Sequence, residues 1–243
     1  MPNGVAVFFI TIDTDWAPYE LVAAMLGMIH DRGLKATVFA TCPHEYPQED
    51  WLEVGLHPNF LPGSSHGEHR EVVMARLTAM HQRAVGIRVH GLFWGAEYAE
   101  LYRRHGLLYD ASWFAPLRPR LGPMEQEGLW RMPIFWTDNL HLRMNFSLEE
   151  VFIPFWQSPG MKVLVFHPML VAWNISRAGE YQVLKERFSP LDRQDPEELR
   201  RAALPGPGLG VFFEILLDRL AEDPGNTFCL REALPMPAET QGD

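Results

Sequence analysis

Hydrophobic positions along the chain fall into two rhythms that alternate. Val5 to Ile12 is almost continuously apolar, the pattern of a parallel strand buried on both faces. Tyr19 to Arg32 carries Leu21, Val22, Met25, Leu26 and Ile29 at helical spacing and stops at Gly33, a natural C-cap. Ala36 to Thr41 returns to strand, and Trp51 to Leu56 forms a third, short one. The same alternation predicts a helix over Arg70–Arg83, a strand over Gly86–Val89 and a helix over Glu97–His105 capped by Gly106. Strands follow at Leu107–Trp113, Leu129–Trp136 and Met161–Phe166.

A helix is expected from Ser147 to Trp156, with Ser147 as N-cap and Glu150 three residues on. Arg177 to Pro207 is the most polar stretch and reads as loops or a short surface helix, opened at Asp195-Pro196-Glu197-Glu198. Gly208–Ala221 reads as an amphipathic helix, Thr227–Leu230 as a last strand, and the tail after Leu234 as frayed. Strand–helix–strand units recurring in this way belong to the α/β class with mostly parallel strands.

Polar chemistry gathers where the strands end. Asp13 and Asp15 follow the first strand, His57 the third, Arg88 and His90 the fourth, and His167 the strand Lys162-Val163-Leu164-Val165-Phe166. Asp-x-Asp at a strand end is either a metal-and-base pair or a solvated loop. The recurrence favours chemistry, because a parallel barrel brings the carboxyl ends of its strands to one face. Carboxylate and imidazole ligands suit zinc or another first-row divalent metal. The stretch His57 to His69, rich in Pro, Gly and Ser, adds His66 and His69 in a long loop of the kind that usually carries function.

Composition narrows the function. A chain of 243 residues can hold one α/β barrel and is read as a single catalytic domain over residues 1–243. Its formal charge of -10 and scattered arginines exclude a phosphate-backbone binder, so no nucleic-acid partner is expected. No apolar run is long enough to span a bilayer, no leader pattern opens the chain, and a cytoplasmic location is expected. Cys42 and Cys229 are expected to be reduced thiols.

The ordered motifs resemble the polysaccharide deacetylases of the NodB-homology family, the fourth family of carbohydrate esterases. Thr11-Ile12-Asp13-Thr14-Asp15 is similar to that family's first motif, Lys35 to Thr41 to its second strand, and Glu53-Val54-Gly55-Leu56-His57 to the strand that delivers a metal histidine. Arg88-Val89-His90 is similar to its arginine motif, with His90 where the family has Pro, and Leu164 to Pro168 to its last motif. The resemblance implies an irregular (β/α) barrel with Asp13 as catalytic base, Asp15 and His57 as metal ligands, Arg88 orienting Asp13, and His167 as general acid. Asp138 is a candidate to share the Arg88 bond. The family places a second metal histidine four residues after the first, but Leu61 stands there. Either His66 or His69 is then the third ligand, with His66 preferred because its Gly/Ser-rich surroundings bend freely. His90 and Trp94 are candidate substrate contacts. The rebuilt loop resembles that of divergent WbmS-like deacetylases associated with O-antigen biosynthesis.

The resemblance implies a zinc-dependent hydrolase that removes an N-acetyl or similar acyl group from a sugar. A cytoplasmic setting would make that sugar nucleotide-linked or lipid-linked. Two rivals remain. A haloacid-dehalogenase-type phosphatase would use Asp13 as nucleophile and Asp15 as acid. It also needs a later lysine and an acidic pair, whereas only Lys162 and Lys185 follow Lys35 and no acidic pair ends an apolar strand. A carbohydrate-binding relative without turnover would explain the broken histidine spacing.

Overall fold

Eight strands form one sheet that curls until its two ends meet. The computed structural model describes residues 4–67, 69–144, 155–156 and 158–235. The strands are β1 (Ala6–Asp13), β2 (Ala36–Ala40), β3 (Leu52–Leu56), β4 (Gly86–Ile87), β5 (Tyr109–Phe114), β6 (Met124–Gln126), β7 (Leu129–Thr137) and β8 (Gly160–Phe166). Their order is β5-β4-β3-β2-β1-β8-β7-β6, and a parallel β5–β7 pairing closes the ring. β6 pairs antiparallel to β7 outside that ring. The remaining seven strands thus make a closed parallel barrel, the irregular (β/α) architecture expected from the motifs.

The described residues also form the α-helices α1 (Tyr19–His30), α2 (Arg70–Met80), α3 (Ala96–Arg104), α4 (Asp138–Met144), α5 (Pro168–Ala172), α6 (Ala178–Phe188), α7 (Pro196–Arg201) and α8 (Leu209–Ala221), with three short 3-10 turns. Successive strand residues point to opposite faces, and β1 uses both. Phe8, Ile10 and Ile12 pack outward against Leu21, Val22, Met25 and Leu26 of α1 and the apolar face of α8. Val7 and Phe9 point inward among Phe39, Tyr109, Ala111, Met132, Met161 and Val163. Thr11 and Asp13 continue that inward series toward the carboxyl end of the barrel.

The C-terminal segment departs from its pattern. Thr227–Leu230 makes one parallel bridge, Phe8 to Thr227, and no strand. β8 borders β1 from Ala6 to Ile12 and β2 borders it from Ile10 onward, so only a short edge near Phe8 is left, enough for one bridge. The segment plugs the amino-terminal mouth of the barrel instead. The Leu230 amide donates to Thr37 Oγ1 at 2.9 Å, and the Arg231 amide to Glu53 Oε2 at 2.8 Å. The polar stretch after Arg177 is more helical than its composition suggests, because Leu184, Phe188 and Leu199 supply buried anchors for α6 and α7. The helix expected from Ser147 lies outside the described residues except for Phe155 and Trp156, as does the tail beyond residue 235. Cys42 and Cys229 are both free thiols.

Candidate metal and catalytic site

Asp13 ends β1 pointing into the barrel. Its Oδ1 accepts from Arg88 Nη1 at 2.7 Å, and Arg88 is fully buried. Three further contacts fix the guanidinium: Nη1 donates to Thr11 Oγ1 at 2.8 Å, Nε to the Ala111 carbonyl at 2.9 Å, and the plane lies 4.3 Å from the Phe39 ring centroid. A buried pair so held leaves the Asp13 side chain unable to swing.

Asp15 occupies a tight turn after the strand, with φ of 43°. The left-handed region costs a side-chain-bearing residue about 1 kcal/mol or more. The turn is held by Thr41, whose Oγ1 donates to the Asp15 carbonyl and whose amide donates to Thr14 Oγ1 at 3.1 Å. The turn aims the Asp15 carboxylate at two imidazoles. His57 Nε2 and His90 Nδ1 each lie 3.2 Å from Asp15 Oδ1. Burial alone would raise the Asp15 carboxyl, but hydrogen bonds to His57 and His90 and the charge of His167 hold it well below the usual carboxylate range.

The tautomer of His57 follows from its other neighbour. Nδ1 lies 2.7 Å from the Arg88 carbonyl, which can only accept, so Nδ1 carries the hydrogen and Nε2 presents its lone pair. A lone pair and a carboxylate oxygen facing each other need a proton or a cation between them. Asp15, His57 and His90 each offer a ligand atom, and these atoms lie within 4.8 Å of one another. One carboxylate and two imidazoles form a donor set that fits a first-row divalent ion such as zinc.

His167 approaches from the other flank, its Nε2 4.0 Å from Asp15 Oδ2. Asp138, fully buried at the start of α4, holds it twice: Oδ1 accepts from Nδ1 at 2.6 Å and Oδ2 from the backbone amide at 2.6 Å. Burial works against the imidazolium, but the Asp138 charge and hydrogen bond, with lesser help from Asp15 and Asp13, push His167 up to about 10. Asp138 therefore serves His167 and not Arg88, because β7 and β8 are neighbours and the residue after β7 meets the residue after β8. A cavity of about 380 Å³ opens over the site, lined by Asp13, His57, His90 and His167 together with an apolar wall that includes Phe114, Ile134 and Val165. A cleft of about 680 Å³ beside Tyr46 and His81 contains none of these four.

Residues 10–185 match the family model of the WbmS-like polysaccharide deacetylases. The chain belongs to this family. Among solved structures it is similar, at 25% identity and a TM-score of 0.75, to a Bordetella bronchiseptica protein described as a polysaccharide deacetylase involved in O-antigen biosynthesis. That match covers 87% of this chain and 90% of the other. A Mycobacterium smegmatis protein described as a polysaccharide deacetylase shares the fold at 17% identity and a TM-score of 0.53, over 86% of this chain and 94% of that one. No curated protein sequence matches at a significant level.

Against the rest of this WbmS-like chain, the third member of the donor group comes from an unexpected place. His66, the loop histidine preferred as ligand for its Gly/Ser-rich surroundings, is outside the group of three: its Nδ1 accepts the Asn59 amide at 3.0 Å. Burial, helped by the charges of Arg76, His57 and His90, pushes His66 down to about 4. Its ring centroid lies 6.0 Å from that of Trp16, which in turn sits 5.5 Å from that of His90. His69, the other loop candidate, precedes α2 and is also outside the group. His90, expected only to touch substrate, stands with Asp15 and His57. Trp94 does not line the cavity; the Arg131 guanidinium covers its ring at 3.5 Å.

Proposed function

We propose that this family member is a metal-dependent hydrolase that removes an acyl group, of the N-acetyl class, from a sugar used in surface-polysaccharide or O-antigen biosynthesis. The observation that carries the reading is the convergence of an Asp15–His57–His90 donor set with a buried Asp13–Arg88 pair on one side and a His167–Asp138 pair on the other. Asp15, His57 and His90 would hold the ion, most simply zinc. When bound, such an ion polarises an acyl oxygen and makes a nearby water more acidic.

The protein's own groups do the proton work. Asp13, held in place by Arg88, accepts the proton of the attacking water. Hydrolysis of an amide also requires a proton for the departing amine, since an unprotonated amine leaves poorly. His167 carries that proton on Nε2, because Nδ1 is already committed to Asp138. Base and acid thus approach the acyl carbon from the two flanks of Asp15. The apolar side of the cavity suits the acyl methyl and excludes water from it. Among the described residues no helix is long and apolar enough to cross a membrane. The reading extends to residues 1–243 as one catalytic domain and to a cytoplasmic sugar that is nucleotide-linked or lipid-linked.

Asp13→Ala tests the assignment of roles. The variant should retain about one zinc ion per chain while losing acetate release from N-acetylated sugars. Unchanged release would remove Asp13 from the role of base, and a metal-free native protein would defeat the hydrolase reading as a whole.

A further inference from the structure

The cavity over the site has a charge pattern that the proton work does not use. Each carboxylate placed in the catalytic machinery has a partner: Asp13 is bonded to Arg88, Asp138 to His167, and Asp15 faces His57 and His90. Among the described residues one permanently charged cation lines the same cavity beyond them, Arg143 of α4, and no carboxylate of those residues pairs with it. Asn139, Leu140 and Arg143 all line the cavity. Positions four apart share a helical face, so α4 presents one polar-to-cationic stripe to whatever occupies the space.

α4 also fixes a scale. Its first residue, Asp138, grips the proposed acid, and Arg143 lies five residues further on, about 7.5 Å along the helix axis at the usual rise. That is roughly the reach across one sugar ring. A guanidinium offers a planar fork of donors that matches the two oxygens of a carboxylate or phosphate, and it holds its charge at any working pH. Asn139 can both donate to and accept from a hydroxyl.

We infer that Arg143 is a specificity-determining residue that reads an anionic group, phosphate or carboxylate, carried on the acylated sugar or on the residue joined to it. The inference rests on the proposed sugar-binding hydrolase. It narrows the substrate class to acidic or phosphorylated N-acyl sugars. With a formal charge of -10, the chain as a whole repels anions, so attraction must come from a local feature such as this one.

The test compares three probes on the zinc-loaded full chain: N-acetylglucosamine, its 1-phosphate and its 6-carboxylate. Apparent affinity is read as KM where acetate is released and as Kd by calorimetry where it is not. At least one anionic probe should bind about fivefold or more tightly than the neutral sugar, a preference that weakens with added salt. The two anions separate a phosphate source from a carboxylate source. Arg143→Gln should abolish the preference while leaving the neutral sugar unaffected, and Arg143→Lys should restore part of it. Thermal melts matching wild type would exclude misfolding at this exposed position. Equal affinity for all three probes, or a preference that survives Arg143→Gln, overturns the inference. Acetate from the neutral sugar without any anionic preference would leave the hydrolase standing. An Arg143-dependent preference without acetate from any probe would do the reverse.

Discussion

Replacing Asp138 by Asn isolates what one buried carboxylate contributes to the proposed acid. In the native site Asp138 accepts from both Nδ1 and the backbone amide of His167 at 2.6 Å and is the largest influence raising an imidazole that burial would lower. His167 is thereby pushed from an ordinary 6.5 up to about 10. Asn keeps the shape and one acceptor but removes the charge, so the imidazole should return to about 6.5 or below. At pH 8 a group of pKa about 10 is almost fully protonated, whereas one of about 6.5 is protonated to only about 3%. Loss of acid form alone therefore predicts an activity fall of about thirtyfold at pH 8, shrinking to less than about twofold near pH 6. Any loss of imidazole orientation would multiply both figures equally.

The assay is acetate release across pH 5.5 to 9.5, with the alkaline limb of kcat as the readout. The limb should move to lower pH in Asp138→Asn. The same shift has a stability counterpart with a definite sign. A histidine whose folded pKa is raised stabilises the fold fully below the unfolded value of 6.5, and the contribution is lost as pH climbs through about 10. Thermal melts of the native protein should therefore fall over that window more steeply than those of the variant. An unmoved alkaline limb, or a defect of the same size at pH 6 and pH 8, would refute the claim that Asp138 acts through the proton on His167.

Metal content should separate the two candidates for third ligand: His90→Ala is expected to lower bound zinc at limiting metal by about tenfold or more, whereas His66→Ala keeps it, as read by elemental analysis after dialysis. Equal retention in both variants would remove His90 from the donor set. Lys162 offers a pH test far from the site. Its Nζ lies 4.1 Å from the Phe135 ring centroid and donates to Ser158 Oγ at 2.9 Å, and burial lowers it to about 8. A base lowered in the fold binds fewer protons there than in the unfolded chain between about 8 and 10.5, so stability rises with pH across that window and the cost is fully present below it. Lys162→Met should accordingly melt higher than wild type at pH 7, with the advantage shrinking by pH 10. A gap that does not change with pH would contradict the assignment.

Which of these groups can be seen in the sequence depends on whether strand periodicity or strand adjacency places them. β1, β2 and β8 are legible because they are covered on both sides, by helices outside and by barrel side chains inside, and so read as unbroken apolar runs. Asp13 and His57 are legible because each stands at or just beyond a strand end. His90 had a signal too: in an extended segment it shares a face with Arg88, two residues earlier, so the arginine that reaches Asp13 also directs His90 toward the site. With Leu61 at the expected four-residue spacing, the loop histidines become the candidates, and the Gly/Ser-rich surroundings of His66 are compatible with almost any position. Its Nδ1 is instead spent on closing its own loop through the Asn59 amide.

The partner of Asp138 and the path of the C-terminal segment are hidden for a different reason, since both depend on which strands touch. Inward and outward apolar faces would look alike in an open sheet and in a closed barrel, so hydrophobic pattern does not reveal closure. Once the ring is closed in chain order, β1 must be bordered by both β2 and β8. A last strand over Thr227–Leu230 then finds only the short edge of β1 at Phe8, makes one bridge there, and the segment turns under the barrel. The same closure brings His57 and Arg88 to the site from the β2 side and Asp138 and His167 from the β8 side. The first and last strands of the ring therefore place the proposed base and acid beside each other, although more than 150 residues separate Asp13 from His167.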